Sequence, residues 1–492
     1  MLLQIIKNSE LKSFKKDASL FLVMSQDRIY AIILAGGEGK RLGPLTRRRA
    51  KPAVGYGGIY RLIDPVLTNL KLSGVNRAAY VTQFLPGSLR RHISDGDPWG
   101  FRDDEGNIHM ENFHPAQFPG DEDVTKFIGT AHSVMVNIPR IMSHDPTEIL
   151  ILSGDHIYKE DYNHIVQVHH QSQADCTVYV KPVQANETSH FGIVKINNNG
   201  RIIEFQEKPS TEETKKPLEL TDEQMHTLGI TDPTKRYLAS MGIYLFNPET
   251  LEEAVLYGKD FGQQVFPLLK NTHNVQSCLF EGYWEDVGRI QSYYDAHQAL
   301  LPNQRSGLDE LLAPVHQEGL PVHLTPLWFN TRLRTKIPPA QVHPSATIIN
   351  SILSPGCIIE QGAVIRDSIL GYQVKVRKGT TISYSIILGA DRHYQRGDYV
   401  KEFYTDIGEE SQLSKVILDK NNVIGPHTQI TGMENGQAIP TQERIARLSS
   451  MALRSGEHLQ EDQHFVIEGE LVIIGKGDYS KEKFVIPTGT NI

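Results

Sequence analysis

The sequence predicts two domains of different architecture: an α/β domain with a mostly parallel sheet, then a parallel β-helix. The chain of 492 residues is too long for one compact core. From Tyr30 to about Leu301, short β-rich runs such as "YAIILAGG" and "EILILSGD" alternate with polar helical stretches, as in βαβ units. After Pro338 the rhythm changes, and an aliphatic residue or pair recurs every five or six positions with Gly, Pro or Ser between.

The repeat after Pro338 favours a β-helix, in which each short strand forms one face of a coil and buries its aliphatic residue. A few short sandwich strands are the alternative, but five successive turns keep the spacing. The rhythm resumes at "KVILDKNNVIGPHTQI" and "FVIPTGTNI", so the polar, helix-prone stretch between them interrupts the coil. The predicted parts are an extension over 1–29, an α/β domain over 30–301, a connection over 302–340, and a β-helix over 341–492 with an insertion at about 433–464.

Composition and charge exclude several classes of protein. A formal net charge of −8 argues against a nucleic-acid binder, whose footprint would be basic. The apolar runs are strand-sized, well short of the roughly 20 residues of a membrane helix. Cys176, Cys278 and Cys357 are too scattered for a disulfide framework or a CxxC metal site. A cytoplasmic protein is therefore expected, and a plastid location only if the extension is a transit peptide.

The segment "LAGGEGKRL" places a glycine turn directly after a predicted strand. Gly36, Gly37 and Gly39 can offer backbone N–H groups to phosphate oxygens because no Cβ stands in the way. The spacing matches neither the GxxxxGK[ST] loop nor the dinucleotide GxGxxG pattern. The turn and the residues behind it hold six cations: Lys40, Arg41, Arg47, Arg48, Arg49 and Lys51. In an acidic chain, such a local cluster predicts a small polyanion as ligand.

The pattern "GGxGxRLxPLTxxRAKPAV", followed by "YRLID" at Tyr60 to Asp64, resembles the N-terminal signature of the ADP-glucose pyrophosphorylase family. The resemblance runs from about Tyr30 to the C-terminus. It implies a Rossmann-like nucleotidyltransferase domain followed by a left-handed parallel β-helix. It also implies that the glycine turn, Arg41 and Lys51 hold the triphosphate of ATP, where fixed donors and cations stabilise the developing charge.

Further motifs follow in the order of that family. "VTQF" resembles the adenine-side strand, "ILSGDHIYKEDY" the catalytic strand end, "FGIVKINNNGRIIEFQEKP" and "LASMGIYLF" the sugar-phosphate segments, and "YWEDVG" the second acidic segment. The resemblance assigns catalysis to Arg41, Lys51, Asp155 and Asp286; nucleotide binding to Ala35, Gly36, Gly37, Gly39, Gln83, Phe127, Gly129 and Thr130; and glucose 1-phosphate binding to Gly192, Glu207, Lys208 and Ser240.

Two acidic residues and a lysine carry the expected phosphate chemistry. Asp155 follows a buried run, and an acid at the carboxyl end of a parallel strand lies where α/β sheets bind ligands, although a turn or helix cap is the commoner role. Asp286 is the expected second oxygen ligand, because two carboxylates with phosphate oxygens suit Mg²⁺. Lys208 suits a substrate phosphate as a point charge. The twenty histidines show no HExxH or paired ligand spacing and are expected on helix surfaces or in the core.

One stretch departs from the family pattern. Where the family reads W-Y-x-G-T-A-D-A, the chain reads "KFIGTAHSV", so Phe127, Ile128 and His132 replace an aromatic with a hydroxyl, a polar residue and an acid. Phe127 can stack but cannot donate a hydrogen bond, so the departure bears on nucleotide preference. Lys40 and Thr68 replace a threonine and a serine, and both changes are expected to be tolerated.

The resemblance implies a Mg²⁺-dependent reaction of ATP with glucose 1-phosphate that gives ADP-glucose and pyrophosphate for glycogen or starch synthesis. A homotetramer is expected. Two alternatives stay open: a sugar-1-phosphate nucleotidyltransferase for another NTP, which the altered stretch permits, and a non-catalytic regulatory subunit. Regulatory subunits typically lose the arginine or the lysine of the glycine segment. This chain keeps both Arg41 and Lys51, which favours a catalytic chain.

The resemblance also implies an allosteric site for a phosphorylated metabolite in the β-helix. "ILDKNNVIG" resembles the segment that carries one activator lysine, here Lys420, and "LVIIGKGDYSKEKFVIP" a second, here Lys476. The second alignment is loose by a residue or two, so Lys481 and Lys483 remain candidates. Arg48, with Arg47 and Arg49 beside it, is expected to complete an anion site between the domains. Solvated lysines on β-helix turns are the alternative.

Overall fold

The computed structural model describes residues 28–103, 105–115, 126–304, 308, 339–390, 405–434, 437–450, 464–476 and 484–492. Most of the predicted extension and connection lie outside these ranges, as do Lys481 and Lys483. In the described ranges, no helix has both the length and the apolar character needed to cross a membrane. The described helices are α1 Asp64–Leu72, α2 Gly87–Ile93, α3 Thr130–Met135, α4 Ile138–Met142, α5 Asn163–Gln171, α6 Glu212–Lys215, α7 Asp222–Thr227, α8 Pro248–Ala254, α9 Phe266–Thr272, α10 Ile290–Gln298 and α11 Thr441–Ser449.

A nine-stranded sheet organises the first domain. The strands of this domain are β1 Ile29–Leu34, β2 Gly55–Tyr56, β3 Tyr60–Arg61, β4 Arg77–Val81, β5 Met110–Phe113, β6 Glu148–Ser153, β7 His156–Tyr158, β8 Cys176–Val183, β9 Gly192–Ile196, β10 Ile202–Glu207, β11 Tyr237–Phe246, β12 Val275–Leu279 and β13 Trp284–Asp286. The main path of the sheet is β10-β9-β11-β6-β1-β4-β5, with β8 paired to β11 and β12 to β8. Two separate two-stranded ribbons are formed by β2 with β3 and by β7 with β13.

The strand directions confirm the predicted mostly parallel sheet. β1 pairs in parallel with β4 and β6, β4 with β5, and β8 with β12. Only β10 and β11, among the described strands of the sheet, run opposite to the other seven. The expected βαβ arrangement therefore holds for β1, β4 and β6, but antiparallel β11 separates β6 from β8. The ten residues of β11 are nearly all buried, so their sequence carries no local mark of strand direction.

Both faces of the sheet are covered. Ile29, Ala31 and Ile33 of β1 pack into one hydrophobic core, and Tyr30 and Ile32 pack into another. Successive side chains of a strand point to opposite faces, so a strand buried on both sides reads as one continuous apolar run. This explains why "YAIILA" shows no alternation of polar and apolar residues.

The second domain is a coil of mostly parallel strands in three sheets; among the described strands of these sheets, Phe465–Glu468 alone pairs antiparallel, with Leu471–Ile474. Val342, Ile359 and Val376 lie beside one another on successive coils that are 17 residues apart. The three sheets are β14-β17-β20-β23-β26-β32, β15-β18-β21-β24-β27 and β16-β19-β22-β25-β31-β30. Their strands are β14 Gln341–Val342, β15 Thr347–Ile349, β16 Ile352–Leu353, β17 Ile358–Ile359, β18 Val364–Arg366, β19 Ile369–Leu370, β20 Val374–Val376, β21 Thr381–Ser383, β22 Ile386–Ile387, β23 Thr405–Ile407, β24 Gln412–Ser414, β25 Val416–Leu418, β26 Asn422–Ile424, β27 Gln429–Ile430, β30 Phe465–Glu468, β31 Leu471–Ile474 and β32 Phe484–Ile486.

Stacked serines tie the coils together at one corner. The Ser368 backbone N–H donates to Ser351 Oγ at 3.2 Å, and the Ser385 backbone N–H donates to Ser368 Oγ at 3.0 Å. All three serines are buried, so the ladder satisfies polar groups that the coil removes from water. The described part of the predicted insertion holds the hairpin β28 Met433–Glu434 and β29 Gln437–Ala438, and helix α11.

The two domains share a core and a buried ion pair. Leu42 and Tyr56 of the first domain belong to the same hydrophobic cluster as Leu388 and Ile473 of the β-helix. Next to it, the Arg49 guanidinium pairs with the Asp419 carboxylate, and both side chains are almost fully buried. Arg49 Nε also donates to the Leu45 carbonyl at 3.0 Å, so the guanidinium that pairs with Asp419 is itself held by the segment behind the glycine turn.

Candidate active site

A cavity of about 590 Å³ opens at the carboxyl ends of the central parallel strands. Leu34, Val81 and Ser153, which end β1, β4 and β6, all contribute to its wall. This edge is where open α/β sheets bind ligands. The structure places eleven of the sequence-predicted site residues in the lining: Gly36, Gly37, Gln83, Phe127, Gly129, Thr130, Asp155, Gly192, Glu207, Lys208 and Ser240.

The glycine turn packs directly on the lysine segment that follows it. Gly39 has φ +69°, and a Cβ there would lie 2.8 Å from the Lys51 Cβ, so glycine is required. Thr46 Oγ1 donates to the Gly39 carbonyl at 3.0 Å and closes the loop. A Cβ on Gly37 would meet nothing within 4 Å, which leaves its backbone open toward the cavity. Ala35, buried just ahead of the turn, donates its N–H to the Val81 carbonyl at 3.0 Å.

Lys51 joins the two predicted acidic residues. Its Nζ lies 2.8 Å from Asp155 Oδ2 and 3.7 Å from Asp286 Oδ1, and its side chain is 9% exposed. The antiparallel ribbon of β7 and β13 brings Asp286 opposite His156, next to Asp155. Ser153 Oγ donates to Asp155 Oδ1 at 2.7 Å. Three residues from distant parts of the sequence therefore meet at one point.

Electrostatics keep Asp155 ionised. Burial raises the pKa of Asp155, but the charge and hydrogen bond of the Lys51 ammonium, with the hydrogen bond from the Ser153 hydroxyl, outweigh it and hold that pKa well below its ordinary value. The carboxylate is therefore charged throughout the neutral range, as a metal ligand or a partner of Lys51 must be.

The acidic pair fits a hard divalent cation. Its donors are carboxylate oxygens, and in the described ranges no cluster of three or more His, Cys, Asp or Glu side chains provides a complete metal cage. An ion held by one or two carboxylates plus substrate phosphates is the usual arrangement for Mg²⁺. The Lys51 ammonium forms ion pairs with both carboxylates, so a positive charge is accommodated between them.

The loop at Gly129 and Thr130 forms the part of the cavity wall where the sequence predicts the nucleotide base to bind. A Cβ on Gly129 would overlap the Lys259 carbonyl oxygen and lie 2.8 Å from its carbon, so only glycine fits. Thr130 Oγ1 donates to Asp260 Oδ2 at 3.1 Å and accepts from the Phe261 N–H at 3.1 Å. These two hydrogen bonds join the segment at Gly129 and Thr130 to the segment at Asp260 and Phe261, far apart in the sequence. Asp260 also lines the cavity.

The altered stretch keeps a defined structure. The Gln83 side-chain oxygen accepts a hydrogen bond from the Phe127 backbone N–H, so Gln83 orders this loop as well as facing the cavity. Phe127 is buried, whereas Ile128 is 45% exposed. His132, in place of an acid, accepts from the Ile128 N–H through Nδ1 at 3.4 Å and caps the turn before α3.

Lys208 and Glu207 form the opposite wall. Lys208 Nζ donates to Glu207 Oε1 at 2.6 Å, and Lys208 has φ +47°, in the left-handed region, directly after the strand β10. The Cβ positions of Gly192 and Gly262 would lie within 2.9 Å of Glu207 Oε2, so both glycines make room for this carboxylate. Ser240 is nearly buried at the cavity wall.

Arg41 lies outside the lining, at the rim next to the acidic segment. Its Nη2 is 3.3 Å from the Cβ position of Gly288, which also lies 3.5 Å from the Asp286 carboxylate oxygens. Burial, together with the nearby guanidinium groups of Arg289 and Arg41, lowers the pKa of His190, a lining residue. The expected cation therefore stands beside the carboxylate pair, with a second arginine close by.

Sequence reasoning missed several cavity residues. His156 and His190 line the cavity, although the histidines were expected on helix surfaces or in the core. Trp284, next to the acidic segment, also lines it. The sequence feature that could have pointed to His156 is its position directly after Asp155 at a strand end. Rules based on the spacing of paired metal ligands cannot detect a single histidine.

The β-helix lysines occupy equivalent places on neighbouring coils. Leu418 pairs with Ile474, and Lys420 and Lys476 each follow two residues later. The backbone N–H of Lys420 donates to Asp419 Oδ1 at 2.7 Å, and Asp419 in turn pairs with Arg49. Both lysines therefore lie close to the segment behind the glycine turn.

The fold and the site define a nucleotidyltransferase. Residues 30–303 match the family model described as Nucleotidyl transferase, and residues 335–485 match the GLGC left-handed parallel beta-helix domain. A wheat (Triticum aestivum) protein described as the small subunit of glucose-1-phosphate adenylyltransferase, chloroplastic/amyloplastic, is 34% identical over 430 residues, which cover 84% of this chain and 85% of the relative. The chain belongs to the glucose-1-phosphate adenylyltransferase family of nucleotidyltransferases. The predicted family, fold class and left-handed β-helix are thereby confirmed.

Proposed function

We propose that the chain transfers the adenylyl group of ATP to α-D-glucose 1-phosphate, giving ADP-glucose and pyrophosphate for glycogen or starch synthesis. The observation that carries this proposal is the meeting of Lys51, Asp155 and Asp286 between the glycine turn and the wall that holds Lys208. Such a site can neutralise a triphosphate on one side and orient a sugar phosphate on the other.

The reaction is an in-line displacement. The phosphate oxygen of glucose 1-phosphate attacks the α-phosphorus of ATP, and the bond to the pyrophosphate oxygen breaks on the opposite side. The nucleophile is already ionised, so positioning and charge neutralisation supply most of the catalysis and no covalent enzyme intermediate is needed. Lys208 orients the attacking phosphate, and Arg41 and Lys51 stabilise the triphosphate and the leaving pyrophosphate.

Nucleotidyltransferases generally use a divalent metal, and Mg²⁺ is the ion proposed here. Asp155 and Asp286 would hold it, and it would neutralise phosphate charge between nucleotide and protein. Ser153 Oγ donates to Asp155 Oδ1 at 2.7 Å and would hold that carboxylate in place, while Asp155 Oδ2, now on Lys51, would be available to the ion.

Nucleotide choice is the first test of the proposal. The altered stretch at Phe127, Ile128 and His132 changes the side chains of the base wall, which leaves open a rival enzyme that uses UTP, dTTP or GTP. Pyrophosphate release from purified protein with glucose 1-phosphate and each of the four NTPs decides between them. ATP should give the highest kcat/KM. Activity with no NTP would contradict a catalytic chain and favour the regulatory-subunit alternative.

The proposed assembly is a homotetramer, since the wheat relative is described as a small subunit and hence as part of an oligomer. Light scattering coupled to size exclusion should give about four times the 55.3 kDa mass of the chain. A monomer mass would contradict this. A cytoplasmic location is proposed, although the relative is described as chloroplastic/amyloplastic. Fractionation of the source cells tests it, and recovery of a shortened chain in plastids would contradict it.

Regulation by a phosphorylated metabolite is proposed at Lys420 and Lys476, with Arg48 as a further cation. Support comes from the equivalent positions of the two lysines on adjacent coils and from the Arg49–Asp419 ion pair beside them. An anion bound there would meet the segment that continues to Lys51, which gives the effector a route to the active site through differential contacts.

Effector titration tests the regulatory proposal. 3-Phosphoglycerate, fructose 1,6-bisphosphate and inorganic phosphate are added to wild type and to the Lys420→Ala, Lys476→Ala double variant. At least one effector should change wild-type activity, with a higher half-saturating concentration in the variant. Absence of any response in wild type, or equal half-saturation in both proteins, would contradict a site at these lysines. Lys378→Ala, on another β-helix turn, is the control.

A further inference from the structure

His156 lies between the two carboxylates without a hydrogen bond to either. Its Nε2 is 3.8 Å from Asp155 Oδ1 and 3.6 Å from Asp286 Oδ1, both beyond ordinary hydrogen-bond length. The side chain is 12% exposed and contributes to the cavity wall. The imidazole therefore presents a polar atom to the reacting end of the cavity.

The Trp284 indole sets the orientation of the His156 ring. Trp284 Nε1 donates to His156 Nδ1 at 3.3 Å, and the two rings contact edge to face with centroids 5.6 Å apart. On the other side, the Cβ position of Gly242 lies 3.5 Å from His156 Cε1, and Gly242 has φ +68°. A methyl group at position 242 would stand in ordinary van der Waals contact with the imidazole, so the positive φ is the reason for glycine there.

The tryptophan also selects the tautomer. An indole N–H can only donate, so the Nδ1 atom that receives it must carry a lone pair. Nε2, the atom that faces the carboxylates and the cavity, is then the ring nitrogen that carries a hydrogen. A donor that is aimed before the substrate arrives costs little reorganisation when phosphate charge shifts during the reaction.

We propose that His156 is a further catalytic residue, whose Nε2–H donates a hydrogen bond to a non-bridging oxygen of the α-phosphoryl group as it passes from pyrophosphate to the sugar phosphate. Trp284 is the positioning residue that holds His156 in this tautomer. No proton moves in this step, and the transfer balances as written above. The inference rests on the proposed adenylyl transfer and adds a donor that the two carboxylates, which can only accept, do not supply.

Side-chain amides separate this role from simple packing. In His156→Gln the amide Nε2–H can reach the place of the imidazole Nε2, whereas in His156→Asn the shorter amide cannot; His156→Leu removes the donor altogether. We expect kcat to fall roughly ten- to hundredfold in the Leu and Asn variants, the range for one hydrogen bond to a charged group. The Gln variant should keep most of the wild-type kcat. His170→Leu, which also removes an imidazole that contacts a carboxylate, is the control outside the catalytic cavity and should leave kcat unchanged.

Binding measurements show which step is affected. Calorimetric titration with ATP, without glucose 1-phosphate, should give similar Kd values for wild type and all three variants, because the donor acts in the transition state. KM for ATP should likewise change little while kcat falls. Trp284→Phe keeps an aromatic ring but frees the tautomer, and kcat should drop several-fold with the ATP Kd unchanged.

Each outcome decides one point. Equal kcat in His156→Leu and wild type would overturn the inference, as would a Gln variant as impaired as the Asn variant. A rise in the ATP Kd equal to the loss in kcat/KM would make His156 a ground-state binding residue and also overturn it. If the Leu variant fails to fold, the Gln and Asn pair still decides. Inactive wild-type protein would overturn the proposed function together with this inference, whereas active wild type with unimpaired variants overturns this inference alone.

Discussion

Asp155→Asn removes one charge from the acidic pair and keeps the shape of the side chain. In wild type, Asp155 lies 2.8 Å from the Lys51 ammonium and accepts from Ser153 Oγ at 2.7 Å. In the variant, Lys51, whose side chain is 9% exposed, keeps only the Asp286 carboxylate, at 3.7 Å. Both the stability of the apo protein and its turnover should therefore change.

The magnitudes follow from this geometry. At an effective dielectric constant of about 20, an ion pair at 2.8 Å is worth about 6 kcal/mol before desolvation, and one at 3.7 Å about 4.5 kcal/mol. Breaking a buried pair costs about 3–5 kcal/mol net. Since Asp155 is 22% exposed and Asp286 remains, about 2 kcal/mol is expected, which for a chain of this size is a fall in Tm of about 2–4 °C.

Turnover should fall further than stability. We expect kcat to drop by at least two orders of magnitude, about 2.7 kcal/mol of transition-state stabilisation, because a neutral amide cannot replace a charged oxygen ligand. Pyrophosphate release at saturating ATP and glucose 1-phosphate measures kcat, and thermal unfolding measures the loss of stability. Asp145→Asn is the matched control: Asp145 pairs with Arg28 at 2.6 Å but is 90% exposed, so both quantities should stay unchanged. A folded Asp155→Asn protein with kcat within tenfold of wild type would refute the reasoning.

Three further variants test other parts of the site. Lys208→Ala should raise KM for glucose 1-phosphate and leave KM for ATP unchanged, and steady-state kinetics with the opposite pattern would contradict the assignment. Gly129→Ala should lower Tm and raise KM for ATP because the new methyl overlaps the Lys259 carbonyl. Gly37→Ala, whose methyl would have open space around it, should keep the wild-type Tm and weaken only ATP binding. Burial and neighbouring carboxylates raise the pKa of Glu285 to about 8, above its unfolded value of about 4.3. The unfolded chain therefore loses this proton first as pH rises, and the free energy of unfolding falls between these two values by up to about 1.4 kcal/mol per pH unit. Glu285→Gln should flatten that part of the pH–stability curve.

The sequence was most informative where a pattern repeats or lies within one segment. The apolar run of β1 and the turn at Gly36 to Gly39 predicted a strand with a phosphate-binding edge, since both depend on neighbouring residues only. The coil repeat predicted the β-helix because every coil must bury an aliphatic residue at the same position. The structure confirms both architectures.

Long-range pairings were beyond the reach of such patterns. The antiparallel direction of β11 inside a mostly parallel sheet depends on which neighbours it meets, and a uniformly buried strand carries no sign of that choice. The hydrogen bond between Thr130 and Asp260 and the ion pair of Arg49 with Asp419 join residues more than a hundred positions apart. Their partners could not be read from either motif alone.

The roles of single residues were the least predictable. Lys51 was expected on the triphosphate and the carboxylates on a metal, but nothing in the sequence indicated that one ammonium would contact both carboxylates. His156 matched no ligand pattern, and its importance emerges only from the Trp284 N–H behind it and the two acids in front. The assigned roles of the site residues remain predictions for the experiments above.

The path of the α-phosphorus tests the central claim most directly. Purified wild-type protein is incubated with glucose 1-phosphate and either [α-³²P]ATP or [γ-³²P]ATP, and the products are separated by chromatography. Adenylyl transfer predicts that the α label enters ADP-glucose and the γ label enters pyrophosphate, at a rate that Asp155→Asn lowers at least a hundredfold, roughly as estimated from the lost charge. Label from the γ position in a sugar product, or no α label in ADP-glucose, would contradict the proposed reaction.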